Sequence, residues 1–283
     1  RGAGLDAALS SLDGARVIVD ALLGTGQKGN PRPPMDAVVN WANRQREKGI
    51  PIVACDVPTG LDSDTGWPSD PTIRASVTVT MGRPKVGLYS YPGRMYAGRV
   101  VVEPLGLPKG LLEEKSLTRA VFMEDARKAM PSRMADHHKG RSGHVTVAAG
   151  SLGMAGAAVL SAGAALRAGA GTVSLVCPGQ VYGVCASMMP EVMVLPCGDG
   201  PVFTGDGKCL GLVLGLLGRS ECLVVGPGLG RGSGQEAFVG ALLKAASSAG
   251  VPCVIDADGL YGVAGLGGLS YLSGLGGKFI LTP

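Results

Sequence analysis

The sequence predicts an α/β protein whose strands lie in parallel sheets, arranged as two consecutive domains. Three observations carry that expectation. Short β-branched runs alternate with helical stretches of small residues, and Gly and Pro stand at the changeovers, as they do where a buried strand feeds a crossover helix. The strand runs are apolar throughout, the pattern of strands covered on both faces. The rhythm breaks once, between Pro104 and Arg141, and then restarts.

Composition agrees with a layered, closely packed interior. Of the 283 residues 46% are hydrophobic, 17% charged and only 4% aromatic, so a core of small aliphatic side chains is expected and global disorder is excluded. The 47 Gly and 19 Pro follow no triplet period, which excludes collagen and calls for many tight turns. The longest apolar run, residues 155–166, stops at Arg167, short of the ~20 residues of a membrane span. No membrane partner is expected. The formal charge of +4 is spread over both halves, so nucleic acid is not an expected partner either. The chain opens on Arg1 without a secretory pattern, which points to the cytoplasm and leaves a cleaved or cropped start open. Seven single cysteines, without CxxC, are expected to be buried reduced thiols.

The elements follow in order. Residues 16–20 (RVIVD) and 50–57 read as buried parallel strands with a helix over 34–48 between them, and 72–81 and 99–103 as further strands. The seam at 104–141 holds Pro108, Gly110, a charged cluster, a short helical segment over 123–129, Pro131, His137 and His138, and the third histidine, His144, follows just beyond it. A boundary near residue 115 gives domains 1–115 and 116–283. Beyond it come a strand over 144–149, a helix over 155–168, strands over 172–177, 192–195 and 222–225, a helix over 233–249, and strands over 252–256 and 279–282.

Open parallel sheets bind ligands just beyond the carboxyl ends of their strands, so the chemistry is sought there. Gly24-x-Gly26-x-x-Gly29 follows the first strand, and its glycines allow backbone N–H groups to approach a phosphate. Pro31, Pro33 and Pro34 come at once, and a helix cannot run through them, which disfavours a standard dinucleotide fingerprint. A tight turn and a different phosphate-contacting loop both remain. Asp20 and Asp56 end strands and face the usual ligand crevice, suited to a cation or a proton; the plain alternative is that each caps loop amides. Lys28 and Lys85 are loop cations, either solvated or held on a ligand or a proton path.

In the second half, Gly150 to Ala157 joins a strand to a helix of small residues, and GPGLGRGSG (226–234) is a second glycine-rich loop between strand and helix. VIDADGL (254–260) ends another strand in two carboxylates. His137 and His138 lack a third partner, so no metal is expected on them. Neither a P-loop nor a G-x-S-x-G elbow occurs.

Taken in order, these motifs resemble the bifunctional NAD(P)H-hydrate repair enzymes, which fuse an NAD(P)H-hydrate epimerase to an ADP-dependent (S)-NAD(P)H-hydrate dehydratase. In the first half the resemblance rests on VDALLGTG, DVPTGLDSDTG and PKVGL; in the second on HKGRSGHVTVAAGS, GMAGAA, AALRAGAGTVSLV, GPGLGRG and VIDADGL. It implies a partial Rossmann-like three-layer domain followed by a partial ribokinase-like α/β domain. For the first, it implies that Asp20 and Thr59 hold potassium, and that Gly24, Thr25, Gly26, Gln27, Lys28, Gly29 and Asn30 form a loop binding the hydrated dinucleotide. Asp56 binds substrate and acts as acid or base; a lysine partner, Lys28 or Lys85, is a separate expectation. For the second, the resemblance implies that Ala157 and Gly228 contact the hydrate, while ADP or ATP with Mg²⁺ phosphorylates the ring hydroxyl and its elimination restores NADH or NADPH. Asp256 is a candidate from its location alone. The family's Asn-Asn-Gly-x-Gly-type loop and its later glycine-rich segment with a catalytic Asp are absent, so the chain is expected to be an internal fragment without activity of its own. A kinase of the ribokinase superfamily, an NAD-dependent oxidoreductase and a non-catalytic binding protein are the alternatives, and a homo-oligomer is left open.

Overall fold

In the computed structural model, residues 2–108, 118–130, 139–205 and 207–283 are described, and the chain divides into two units, Arg1–Phe122 and Met123–Pro283. The boundary expected near residue 115 lies outside the described residues, as do His137 and His138.

The first unit runs α1 (Gly2–Ser10), β1 (Ile18–Asp20), α2 (Met35–Glu47), β2 (Ile52–Cys55), β3 (Val77–Met81), α3 (Arg94–Ala97) and β4 (Arg99–Glu103), with a parallel sheet in the order β1-β2-β3-β4. Pro34 stands at the N-cap of α2, Asp36 lies in its first turn, and Arg44 and Arg46 in its last, all in keeping with the helix dipole. Val39, Trp41 and Ala42 of α2 pack on Ile52 and Ala54 of β2. The third strand starts at Val77, not at residue 72 as expected. The reason is local: the Thr72 hydroxyl donates to the Gly60 and Ser69 carbonyls, and Ile73 N–H to the Thr59 carbonyl, so this stretch anchors the loop after β2.

The second unit runs α4 (Met123–Ala129), β5 (His144–Ala148), α5 (Ala155–Ala168), β6 (Thr172–Pro178), α6 (Gly179–Met188), β7 (Met193–Cys197), α7 (Gly207–Leu217), β8 (Cys222–Val225), α8 (Ser233–Ser248), β9 (Cys253–Asp256), α9 (Asp258–Gly265), α10 (Leu269–Leu275) and β10 (Phe279–Thr282). Its sheet is parallel throughout, in the order β10-β9-β8-β5-β6-β7. The chain moves outward from β5 to β7 and then returns to lay β8 on the other side of β5. That reversal opens a crevice at the carboxyl ends of β5 and β8, where ligands of such sheets bind.

Helices α6, α7, α9 and α10 were not expected from periodicity. Glycine hides α7 (GKCLGLVLGLL), yet Cys209, Val213, Leu216 and Leu217 form its buried face at helical spacing. Parallel neighbours need crossovers, which is the signal that calls for these helices. The core between sheet and helices is built from Leu223, Val225, Ile255, Leu242 and Leu243, with Phe203 stacked on Phe238 at 4.7 Å between centroids.

The cysteines depart from the expectation of reduced thiols throughout. Cys197 at the end of β7 is disulfide-bonded to Cys209 in α7, so the seven cysteines are not all thiols; strand end and helix bring the two Cα atoms within 5.1 Å. Cys177, Cys185 and Cys253 are buried thiols, and burial pushes Cys177 up to about 12, leaving it unreactive at neutral pH. Among the described residues, no helix is long and apolar enough to cross a membrane.

Candidate active sites

Asp20 closes β1 and is 2% exposed; Thr59, in the loop after β2, is 1% exposed. The two meet although 39 residues apart. Thr59 donates its backbone N–H to Asp20 Oδ2 at 2.8 Å and its hydroxyl to Oδ1 at 2.7 Å. Leu23 N–H donates in turn to Thr59 Oγ1 at 3.1 Å, tying the loop after β1 to the loop after β2. Burial pushes the Asp20 carboxyl above its ordinary range, and the bonds from Thr59 and Leu22 offset only part of that.

Asp56 follows β2 directly and takes φ +68°, a left-handed conformation uncommon for a residue with a side chain. That turn brings Oδ1 to three donors: Lys85 Nζ, Met81 N–H at 2.9 Å and the Thr80 hydroxyl at 3.2 Å. Lys85 Nζ also donates to Thr80 Oγ1 at 3.1 Å and to the Met81 carbonyl at 2.9 Å, which accounts for all three ammonium protons. Burial pushes the Asp56 carboxyl up, but the Lys85 ammonium, Met81 N–H and Thr80 hydroxyl together outweigh it and hold the group below the usual carboxylate range. Of the two candidate lysines it is Lys85 that meets Asp56. Lys28 instead lends its charge to Asp62. The contributions of Thr80 and Met81 were missed in sequence, where nothing distinguishes them from other strand residues.

The 24–30 loop leans on the loop after β2. Gly60 N–H donates to Gln27 Oε1 at 3.0 Å, the Ser69 hydroxyl to the Gly29 carbonyl at 2.9 Å, and Asp70 N–H to Asn30 Oδ1 at 3.1 Å. Gly29 needs its glycine for φ +77°. Gly24, Thr25, Gly26, Lys28, Gly29 and Asn30 are exposed, so the loop presents open backbone beside Asp20 and Thr59.

In the second unit, the loops after β5 and β8 meet at the reversal point. Gly228 takes φ +61°, and a Cβ there would stand 2.9 Å from Met154 Cβ and 3.0 Å from Ala157 Cβ. Ala157 and Gly228 are thus in close apposition, and Ser151 Oγ, buried, donates to the Gly228 carbonyl at 2.8 Å. Asp256 ends β9, where Thr282 Oγ1 donates to its Oδ1 at 2.9 Å. Its neighbour Asp258 does more for this loop: Oδ2 accepts Gly230 N–H at 3.0 Å and Oδ1 accepts Arg231 Nε at 2.9 Å. The paired carboxylates of IDAD were the visible signal, but not which of the two holds the loop.

Residues 4–87 match the family described as YjeF-related protein N-terminus, and residues 145–283 match the family described as NAD(P)H-hydrate dehydratase. A bifunctional NAD(P)H-hydrate repair enzyme of Moorella thermoacetica is 36% identical over 95% of this chain and 49% of its own length. One of Thermofilum pendens is 33% identical over 100% of this chain and 51% of its own length. The chain therefore spans about half the length of these curated relatives. Among solved structures, a ribokinase-like superfamily protein from Enterococcus faecalis is similar at 20% identity and TM-score 0.46, over 59% of this chain and 56% of that one. An ADP/ATP-dependent NAD(P)H-hydrate dehydratase from Bacillus subtilis, co-crystallized with ATP/Mg²⁺, is similar at 26% identity and TM-score 0.37, over 48% and 45%. The two family matches in this order on one chain, together with relatives alike over most of its length, show that the chain belongs to the bifunctional NAD(P)H-hydrate repair enzymes.

Proposed function

We propose that the whole protein repairs hydrated nicotinamide dinucleotides at two sites, interconverting the epimers of NAD(P)H hydrate in the first unit and dehydrating the S form with ADP or ATP in the second. The observation that carries the reading is the clamp on Asp56, three donors on one carboxylate oxygen at the end of β2. Held ionised, Asp56 would take the proton of the hydrate's ring hydroxyl as the bond between that carbon and the ring nitrogen breaks to an open-chain aldehyde, and would return it to the oxygen as the nitrogen closes on the opposite face. The 24–30 loop takes the dinucleotide beside it. Domains 1–115 and 116–283 carry the two activities in this reading.

Potassium fits at Asp20 and Thr59. A buried carboxylate beside a hydroxyl is a hard oxygen donor set, and the burial that pushes Asp20 up is a charge imbalance that a cation relieves. There it would fix the loops after β1 and β2. In the second unit, Ala157 and Gly228 would seat the hydrate. The nucleotide supplies the phosphoryl group that turns a poor leaving group into a good one. Magnesium would accompany the nucleotide phosphates. A cytoplasmic setting goes with this reading, although reducing compartments seldom keep a bridge such as Cys197–Cys209.

The test uses the full-length parent. Asp56→Ala is expected to abolish interconversion of the hydrate epimers while ADP-dependent recovery of the reduced ring from the S form continues. Interconversion at the parent rate in the variant removes Asp56 from the chemistry, and no recovery under either nucleotide removes the dehydratase assignment.

A further inference from the structure

Resting on the reading of the second unit as a nucleotide site, we propose that Arg231 is a phosphate-binding residue of that site, its guanidinium fork taking two oxygens of a ligand's phosphoanhydride. Arg231 lies three residues beyond Gly228, in the loop at the crevice between β5 and β8. Its side chain is 66% exposed, yet it is oriented from two directions. Nε donates to Asp258 Oδ1 at 2.9 Å, and the guanidinium carbon stands 4.9 Å from the centroid of the Tyr261 ring. One edge and one face of the plane are thereby fixed. The remaining edge carries both Nη groups, which meet no acceptor among the described residues.

A solvent-exposed ion pair contributes little to stability and loses side-chain entropy on forming. This one is built differently, because its carboxylate is only 10% exposed and has its second oxygen on Gly230 N–H in the same loop. Placing a nearly buried acid under an exposed arginine holds a planar fork outward before any ligand arrives, and such a fork matches phosphate oxygens in pairs. Asp258 also offsets the positive charge. Recognition therefore depends on the fork's geometry more than on net attraction, and a lysine at this position, a point charge without a fork, would not replace it.

The phosphoanhydride could come from the dinucleotide or from the ADP that accompanies it, and the experiment separates them. The full-length parent chain and its Arg231→Gln and Arg231→Lys variants are titrated calorimetrically with NADH, ADP and inorganic pyrophosphate, with adenosine as the uncharged control. Thermal unfolding of the surface variants verifies that they fold. The expected result is a loss of roughly tenfold or more in affinity for pyrophosphate in both variants, with adenosine unchanged. A matching loss for NADH alone assigns the fork to the dinucleotide, and for ADP alone to the nucleotide. If the chain binds these probes and neither variant weakens any of them, Arg231 is a loop clamp only and the proposal is wrong. If the unsubstituted chain binds none of them, the reading of the second unit falls and the proposal with it.

Discussion

Lys85→Met keeps the length of the side chain and removes three hydrogen bonds, to Asp56 Oδ1, to Thr80 Oγ1 at 3.1 Å and to the Met81 carbonyl at 2.9 Å. Asp56 retains Met81 N–H at 2.9 Å and the Thr80 hydroxyl at 3.2 Å, so what it loses is its charged donor. A charge-assisted bond contributes about 1.5–3 kcal/mol. The Lys85 and Asp56 side chains are 21% and 23% exposed, so solvent screening removes only a part of that. On the acid limb, where the rate follows the ionised fraction of Asp56, the loss corresponds to a roughly 10- to 150-fold slower epimer interconversion at a given pH.

The sign of the pH effect follows from the direction of the shift. Asp56 is held below its ordinary range in the folded chain, so its contribution to stability is present above the unfolded pKa and is lost as pH falls through the folded one. Removing the ammonium lets the folded value climb back, which moves the acid limb of the interconversion profile to higher pH and takes stability away at neutral pH. Carbon-detected NMR titration of the Asp56 carboxyl, in the chain and in Lys85→Met, reads the shift directly; the rate profile of the parent reads its consequence. Lys85→Arg, which keeps the charge, is expected to recover most of both. An Asp56 carboxyl that titrates at the same pH with and without Lys85 would falsify the clamp.

Two further outcomes follow from the contacts. Gly228→Ala places a Cβ at φ +61° against Met154 and Ala157, and left-handed strain of ~1 kcal/mol with overpacking of ~1–3 kcal/mol adds to a destabilisation of about 2–4 kcal/mol. Urea unfolding followed by circular dichroism measures it, and an unchanged midpoint means that the Gly228–Ala157 apposition is not formed in solution. Potassium chloride is expected to raise the unfolding temperature above that in choline chloride of equal ionic strength, and Asp20→Asn to erase the difference. Equal temperatures in the two salts place no ion at Asp20.

Element type and order were legible because periodicity and punctuation are local properties. The apolar β-branched runs became β1, β2, β5, β6, β8, β9 and β10, and Pro34 marked the start of α2. Where glycine weakens the helical signal, as in α7, the burial of Val213, Leu216 and Leu217 and the need for a crossover decided the element instead. Strand-end carboxylates and glycine loops were likewise readable as ligand-facing, since their place in a parallel sheet follows from strand order alone.

By itself, then, the sequence determined an α/β chain of parallel strands with ligand loops at their carboxyl ends, and the ordered motifs that resemble its family. Tertiary structure alone decided which side chains meet. Thr59 reaches Asp20 across 39 residues, and Lys85, not Lys28, reaches Asp56 across 29. The same holds for the Cys197–Cys209 bridge and for Gly228 against Ala157. The physical reason is that a loop's neighbours are set by which strands lie side by side. In the second unit β8 pairs with β5 rather than with β7, a non-local choice made by burial of the whole sheet between helices, and no window of residues encodes it.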